Sequence, residues 1–130
     1  MKIIDGKNAI FGRLASYVAK ESLKGEEVVI LNCDQVIITG NKKFIEEDFK
    51  AKRRRVGFSQ KGPKISRTPY LIVKRTIRGM IPNYRTGRGR EAFKRIKCYN
   101  GIPKEFEDKK KIISGKEKQD KFILVKDLSK

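Results

Sequence analysis

The side chains that most often carry enzymatic chemistry are scarce in this chain. It contains no histidine and only two cysteines, Cys33 and Cys98. Without histidine the commonest general base near neutral pH is missing, and so are Ser-His and Cys-His nucleophile pairs. Asp5 and Asp34 lie near the ends of apolar runs, where α/β folds bind ligands, but acids at such positions also end strands or cap turns. We therefore expect no enzymatic activity.

The remaining candidate chemistry is metal or nucleotide binding. Two isolated cysteines without a C-x-x-C partner or a histidine do not make a zinc site, and both are expected as small buried residues. The run Gly87-Arg88-Gly89-Arg90 lacks the spacing of a P-loop and the third glycine of G-x-G-x-x-G. We expect no metal and no cofactor. The glycines would instead let the backbone approach sugar-phosphate while the arginines contact phosphates. The alternative is a flexible solvated loop.

Positive charge is concentrated in residues 50–97, which we call the basic segment. Its 48 residues hold 17 Lys or Arg and a single acid, Glu91, and account for +16 of the formal net charge of +18. Charges of one sign at this density repel one another in the folded protein, so we expect a polyanion to bind beside them. Nucleic acid is favoured because Lys and Arg that neutralise phosphates release condensed counterions. A membrane-surface protein and a domain with merely solvated charge are the alternatives.

The cations of the basic segment are candidate phosphate ligands, and Tyr84, in a basic loop, is a candidate for stacking on a base. Phe93 and Tyr70 are expected in the core because of their spacing. The absence of an RNP motif, a KH clamp and a zinc finger favours folded RNA, recognised by backbone and shape. The predicted RNA-binding residues are Lys52, Arg53, Arg54, Arg55, Lys61, Lys64, Arg67, Arg75, Arg78, Tyr84, Arg85, Arg88, Arg90, Lys94, Arg95 and Lys97.

Apolar patterning in the first 50 residues predicts an α/β layered sheet. The predicted elements are a strand at 2–4, a helix from 11 to the stop at Gly25, strands at 28–31 and 36–39, and a helix from a cap at Asn41 into Lys50. The two unbroken apolar runs are typical of parallel strands covered on both faces. Phe44, Ile45 and Phe49 are expected to form the buried face of the second helix.

The rest of the chain is expected to complete a single domain over 1–130. Its core covers about 1–49 and 68–103, and residues 104–130 are only weakly assigned. A basic loop at 57–66 is expected to precede a helix from the cap Thr68 to Pro82, whose apolar stripe is Tyr70, Val73, Ile77 and Met80. A second basic loop at 83–90 leads to a short helix carrying Ala92, Phe93 and Ile96. A surface excursion at 104–119 and a strand at 122–125 follow. No apolar run reaches the ~18 residues of a membrane span. The N-terminus turns polar too soon for a signal peptide.

Three stretches resemble the large-subunit ribosomal protein thirteen family. They are Asp5-Gly6-Lys7 with Gly12 to Ser16, Val28 to Leu31 with Asn32, Asp34 and Ile37 to Lys42, and Arg78 to Pro82 leading to Lys97 to Gly101. The third is the most specific, because a Gly-Met-aliphatic-Pro helix end before a basic loop is a family signature. Gly101-Ile102-Pro103 resembles the archaeal and eukaryotic branch. The loop from Asn83 is about one residue longer than the family pattern, so the resemblance leaves open whether Gly87 or Gly89 matches its glycine.

The resemblance implies a three-layer α/β/α domain on a four-stranded parallel sheet, with basic loop and helix extensions. It also implies a non-enzymatic constituent of the large ribosomal subunit in the cytoplasm. Its expected partners are large-subunit rRNA, which it binds and stabilises, and neighbouring ribosomal proteins. We expect no membrane partner and no small-molecule substrate. The alternatives are a free RNA-binding translational regulator, an architectural DNA binder, and a nucleotide-binding α/β enzyme.

Overall fold

A computed structural model describes residues 1–55, 62, 64–113 and 121–128. Its strands are β1 (Lys2–Asp5), β2 (Val28–Leu31), β3 (Ile37–Thr39), β4 (Ile96–Cys98), β5 (Ile112–Ile113) and β6 (Phe122–Leu124). Its α-helices are α1 (Phe11–Leu23), α2 (Lys42–Arg54), α3 (Pro69–Met80), α4 (Gly87–Lys94) and α5 (Val125–Leu128). Among the described residues, 3-10 helices cover Cys33–Gln35 and Lys104–Phe106.

Four strands form one parallel sheet in the order β4-β2-β1-β5. In its register Ile4 lies opposite Ile30, and Ile30 lies opposite Cys98. All four residues of the central strand β2 are buried, as expected of a parallel strand covered on both faces. The predicted α/β fold with a four-stranded parallel sheet flanked by helices is confirmed.

The apolar run at 36–39 is a strand, but it does not join the parallel sheet. Strand β3 pairs antiparallel with β6, with Ile37 opposite Leu124 and Thr39 opposite Phe122. The prediction of a second parallel strand there was wrong. An apolar run indicates burial and not strand direction, and the partner lies more than 80 residues further along the chain. The predicted strand at 122–125 is confirmed as β6, with Val125 opening α5.

The boundary between the second basic loop and the next helix was predicted wrongly. Helix α4 already begins at Gly87, and residues 96–98 form strand β4 instead of continuing a helix. Ile96 and Cys98 are buried while Lys97 is exposed. That alternation spans too few residues to outweigh the helical spacing that Ile96 makes with Ala92. Strand β5, inside the predicted surface excursion, was missed for the same reason of length.

The sheet separates two apolar layers. On one face α1 and α3 pack over Ile4 and Ile30. On the other face Ile3, Val29 and Leu31 contact Phe106 of the second 3-10 helix. Each fully buried aliphatic side chain contributes about 1.5–3 kcal/mol to stability.

Helix α2 contributes less to the core than predicted. It has no fully buried residue, and Phe44 is 68% exposed, so its predicted burial was wrong. Ile45 and Phe49 are half-buried against the core. In α3 the expected stripe holds at Val73 and Ile77, whereas Met80 is largely exposed.

The predicted helix caps have mixed outcomes. The side-chain oxygen of Asn41 accepts a hydrogen bond from the Lys43 amide at 3.1 Å, which confirms that cap. Thr68 occupies the N-cap of α3, but its hydroxyl makes no capping bond. Instead its backbone carbonyl accepts from the amides of Leu71 and Ile72.

Three of the candidate chemical side chains, Asp5, Cys33 and Cys98, have structural roles. The Asp5 carboxylate ends β1 by accepting from the Asn32 amide at 2.8 Å and from the Lys7 backbone at 3.0 Å. Cys33 and Cys98 are both buried, as expected. A hydrogen bond to the neighbouring Cys98 thiol, together with burial, raises the pKa of Cys33. A raised pKa disfavours the reactive thiolate.

The start of α4 requires both glycines. Gly87 has φ +58°, a backbone conformation that favours glycine. A Cβ on Gly89 would lie 1.8 Å from the carbonyl oxygen of Pro82 and 2.5 Å from that of Asn83. Gly89 therefore lets α4 pack directly on the turn that follows α3.

We predict that Gly89→Ala lowers the free energy of unfolding by about 3 kcal/mol, because backbone atoms cannot move aside as a flexible side chain can. The matched control is Gly79→Ala, where an added Cβ meets no atom within 4 Å. That change should stabilise α3 by about 0.5–1 kcal/mol through helix propensity. Urea unfolding of both variants measures the difference. Equal stabilities would contradict the close approach at Gly89.

Candidate nucleic-acid interface

Helix α3 divides apolar and cationic side chains between its two faces. Ile72, Val73 and Ile77 are buried against the core. The opposite face carries residues spaced by three and four positions, which brings them into line along the helix surface. These outward residues are Leu71, Lys74, Arg75 and Arg78.

A groove lies beside this outward face, and we call it the α3–α4 groove. Its volume is about 320 Å³, and it is lined by Lys64, Ser66, Leu71, Lys74, Arg75, Arg78 and Phe93. Four of these lining residues are cations and none is an acid. An Arg75 guanidinium nitrogen donates to the Lys64 carbonyl oxygen at 3.4 Å, which ties the stretch before α3 to the helix. The groove is therefore cationic, with Leu71 and Phe93 as its large apolar side chains.

Aromatic rings, not carboxylates, hold two of these cations in place. The Lys74 ammonium lies 5.0 Å from the centroid of the Phe93 ring. The Arg78 guanidinium lies 4.7 Å from the centroid of the Tyr84 ring. A ring orients a cation without neutralising its charge. The groove thus keeps its positive charge available for an anion.

Tyr84, predicted to stack on a base, is half-buried among protein groups. Its ring centroid lies 6.2 Å from that of Phe93, and its hydroxyl oxygen accepts from the Arg85 guanidinium at 3.2 Å. The hydrogen bond from Arg85 lowers the pKa of Tyr84, with the charge of Arg78 adding to the effect. Tyr84 therefore positions two arginines, and its stacking on a base stays a prediction.

Phe93 and Lys74 were missed as site residues. Phe93 packs against the core as expected, but it is only half-buried and also lines the α3–α4 groove. Lys74 was left out although its spacing from Leu71 and Arg78 places it on the same helical face. That spacing was the available signal for Lys74. The chain offers no comparable signal for Phe93, because its exposure depends on where α4 begins.

The four cations at the end of α2 differ in their surroundings. The Lys52 ammonium pairs with the Asp48 carboxylate at 3.0 Å, one turn earlier. The Arg53 guanidinium lies 6.0 Å from the centroid of the Phe49 ring. Residues 54 and 55 are exposed. Positive charge here also complements the negative end of the helix dipole.

A second, smaller pocket brings Arg53 and Arg67 together between α2 and α5. Its volume is about 210 Å³. Glu46 and Asp127 also line it, so its charges are mixed. An anion would meet less favourable electrostatics here than in the α3–α4 groove.

The turn after α3 and helix α4 present the exposed cations Arg85, Arg88, Arg90 and Lys94. Arg88 and Arg90 lie in the first turn of α4, which contains no acid. The helix dipole favours negative charge at that end. Two arginines there are unfavourable for the isolated helix and favourable for an anion beside it.

We call the described cations at the end of α2, in the stretch before α3, on α3, in the turn after it and on α4 the cationic face, and two predicted site residues lie apart from it. The Arg95 guanidinium donates to the Ser22 carbonyl oxygen at 3.0 Å, which joins the C-terminal end of α4 to the end of α1. Lys97 lies opposite Val29 in the register, on the sheet face away from α1 and α3. Lys61 falls outside the described residues.

The described residues contain neither a metal-binding cluster nor a membrane-spanning helix. In the part of the chain that the structure describes, three or more His, Cys, Asp or Glu side chains nowhere gather closely enough to hold a metal ion. Over the same residues, no helix combines the length and the hydropathy needed to cross a bilayer.

Comparison with known proteins identifies the relatives of this chain. The family model described as Ribosomal protein L13 matches residues 1–105. The chain is 47% identical over 133 residues to a Methanocaldococcus jannaschii protein, covering 100% of this chain and 96% of the relative. Identity is 40% to a Methanococcoides burtonii protein (100% and 96% covered) and 36% to one from Archaeoglobus fulgidus (98% and 85%). Each is named large ribosomal subunit protein uL13. The resemblance found in the sequence, including its archaeal character, is confirmed.

We predict that Arg85→Gln raises the pKa of Tyr84 towards its ordinary value, because the hydrogen bond from Arg85 is the largest cause of its lowering. A depressed pKa adds stability only at alkaline pH, and that stability is lost as pH falls through the folded-state pKa. An NMR titration of ring-labelled tyrosine measures the shift. Arg90→Gln, on α4, is the matched control and should leave it unchanged. A Tyr84 pKa that does not move in Arg85→Gln would contradict the assignment.

Proposed function

Because the chain belongs to the ribosomal protein L13 family, we propose that it is a structural constituent of the large ribosomal subunit and not an enzyme. In this role it associates with the rRNA and the proteins of that subunit. Its cationic face binds and stabilises folded large-subunit rRNA.

The observation that carries this proposal is that few carboxylates of the described residues lie beside the cations of that face. Ion pairs between described residues include Met1 with Glu26, Lys2 and Lys24 with Glu21, and Lys52 with Asp48. Lys52 is the basic-segment cation in these pairs, and Arg53 and Arg67 share a mixed-charge pocket with Glu46 and Asp127. The α3–α4 groove, in contrast, is lined by four cations and no acid. An ordinary soluble domain intersperses both signs on its surface. Here the missing negative charge is supplied by RNA phosphates.

The proposed mechanism is charge neutralisation at close range. Each phosphate that meets a Lys or Arg releases condensed counterions, which favours binding. Contacts to phosphate and sugar set the position of the protein on the RNA without reading its sequence. By neutralising RNA segments that would repel one another, the domain lets them pack together in the folded subunit.

The proposed contacts follow the positions of the cations. Arg95 is left out of the contact set, because its guanidinium is engaged with Ser22. Lys97 faces the other side of the sheet and would meet a different RNA segment. The proposed contact residues on the cationic face are Lys52, Arg53, Arg54, Arg55, Lys64, Arg67, Lys74, Arg75, Arg78, Arg85, Arg88, Arg90 and Lys94.

We predict that Arg54→Gln and Arg88→Gln each weaken binding to purified large-subunit rRNA. Each should lower the slope of log affinity against log salt concentration by about one unit, because one phosphate contact is lost. Filter binding over a salt series measures both quantities. Lys104→Gln is the matched control, an exposed cation outside the basic segment that should leave the slope unchanged. Equal slopes in all three variants would argue against the proposed face.

The complete protein should also comigrate with large ribosomal subunits. In a sucrose gradient at moderate salt we expect it in the large-subunit fractions, with release as salt is raised because the contacts are electrostatic. Recovery near the top of the gradient at moderate salt would instead indicate a free RNA-binding regulator.

A further inference from the structure

The α3–α4 groove has features that a plain phosphate-binding surface does not need. Its volume of about 320 Å³ lies near the lower end of the range for small-molecule sites, about 300–1,000 Å³. A phosphate on an exposed helix requires only cations at the surface. A recess of this size beside cations indicates a ligand with an uncharged, bulky part.

The apolar residues of the groove are exposed in a way that the core does not explain. Leu71 is 37% exposed on a helical face that is otherwise cationic. Phe93 is half-buried, and its remaining surface lines the groove. Burying such surface against a flat ring is favourable, and aromatic side chains are the usual platforms for unstacked RNA bases.

The cations of the groove come from more than one stretch of the chain. Arg75 and Arg78 come from α3, while Lys64 comes from the stretch before the helix. Phosphates flank every nucleotide on both sides, so an inserted base would bring its neighbouring phosphates to these cations. A free phosphate would leave Leu71 and Phe93 unused, and an apolar peptide would leave the cations unpaired.

From these observations we propose that the α3–α4 groove receives one unstacked nucleotide of large-subunit rRNA. The base lies against Phe93 and Leu71, and the adjoining phosphates meet Arg75, Arg78 and Lys64. The inference rests on the function proposed above, since it takes rRNA as the ligand. It adds to that function a specific pocket and the part of the RNA, one nucleotide, that the pocket binds.

Lys74 would leave the Phe93 ring when the base binds. In the free protein its ammonium lies 5.0 Å from the Phe93 ring centroid. A lysine–ring contact at an exposed site is weak, so a base can take its place on the ring. The displaced ammonium then has a phosphate within reach of its flexible stem.

The first test uses the unaltered protein bound to purified large-subunit rRNA. Short-wavelength ultraviolet irradiation joins unstacked bases to the side chains they touch, and mass spectrometry locates the nucleotide adducts. We expect an adduct on a peptide that carries Phe93 or Leu71. Adducts confined to other parts of the basic segment would overturn the proposal without affecting the proposed function.

The second test separates stacking from charge. Phe93→Leu keeps apolar volume but removes the ring, so it should raise the Kd about tenfold and leave the salt slope unchanged. The matched control is Tyr70→Leu, because Tyr70 is another half-buried aromatic residue packed on the core but does not line the groove. Its Kd should stay near that of the unaltered protein.

The outcomes distinguish the pocket from the wider function. Binding by Phe93→Leu that equals the unaltered protein would overturn the nucleotide pocket, as would equal weakening by both variants, which indicates lost packing alone. If Phe93→Leu does not fold, as judged by thermal melting, the adduct map decides. If Arg54→Gln and Arg88→Gln also leave the Kd and the salt slope unchanged, the proposed RNA-binding face itself fails.

Discussion

The cations on the outward faces of helices α3 and α4 repel one another, and the apolar contacts beneath those helices must outweigh that repulsion. The free energy from apolar burial is larger than the repulsion between these charges. Two unit charges about 4 Å apart in water interact by only about 1 kcal/mol. Each fully buried aliphatic residue, such as Val73 or Ile77, contributes about 1.5–3 kcal/mol. The sheet and its helices can therefore hold a strongly positive face in position without a bound partner.

Aromatic rings let the face stay both ordered and charged. A carboxylate beside Lys74 or Arg78 would fix the side chain but would also cancel the charge that an anion needs. The rings of Phe93 and Tyr84 orient the same cations while leaving their charge intact. Cations that are already oriented lose less conformational entropy on binding. The interface is thus partly organised by the fold itself.

Much of the fold and of the charged face could be predicted from the sequence because each signal was strong and local. Strand β2 is an unbroken apolar run, Asn41 is a preferred cap residue, and the charge asymmetry needs no structure to be seen. Short or non-local features could not be predicted. Strand β4 is three residues long, and β3 finds its partner β6 far along the chain. The sequence likewise grouped Lys97 with the other cations, although the sheet separates them.

The two glycines of α4 show why the sequence could not assign roles to individual residues in the loop that precedes this helix. The family pattern has one loop glycine and this chain offers two, so resemblance alone could not choose between Gly87 and Gly89. The structure gives each a different physical requirement, a positive φ at Gly87 and a backbone contact at Gly89. Together they start the helix one turn earlier than its apolar spacing indicates. Phe93 of this helix lies beside α3, with its ring centroid 5.0 Å from the Lys74 ammonium, and lines the α3–α4 groove. The shape of the interface therefore depends on backbone geometry in a loop, where side-chain patterns carry the least information.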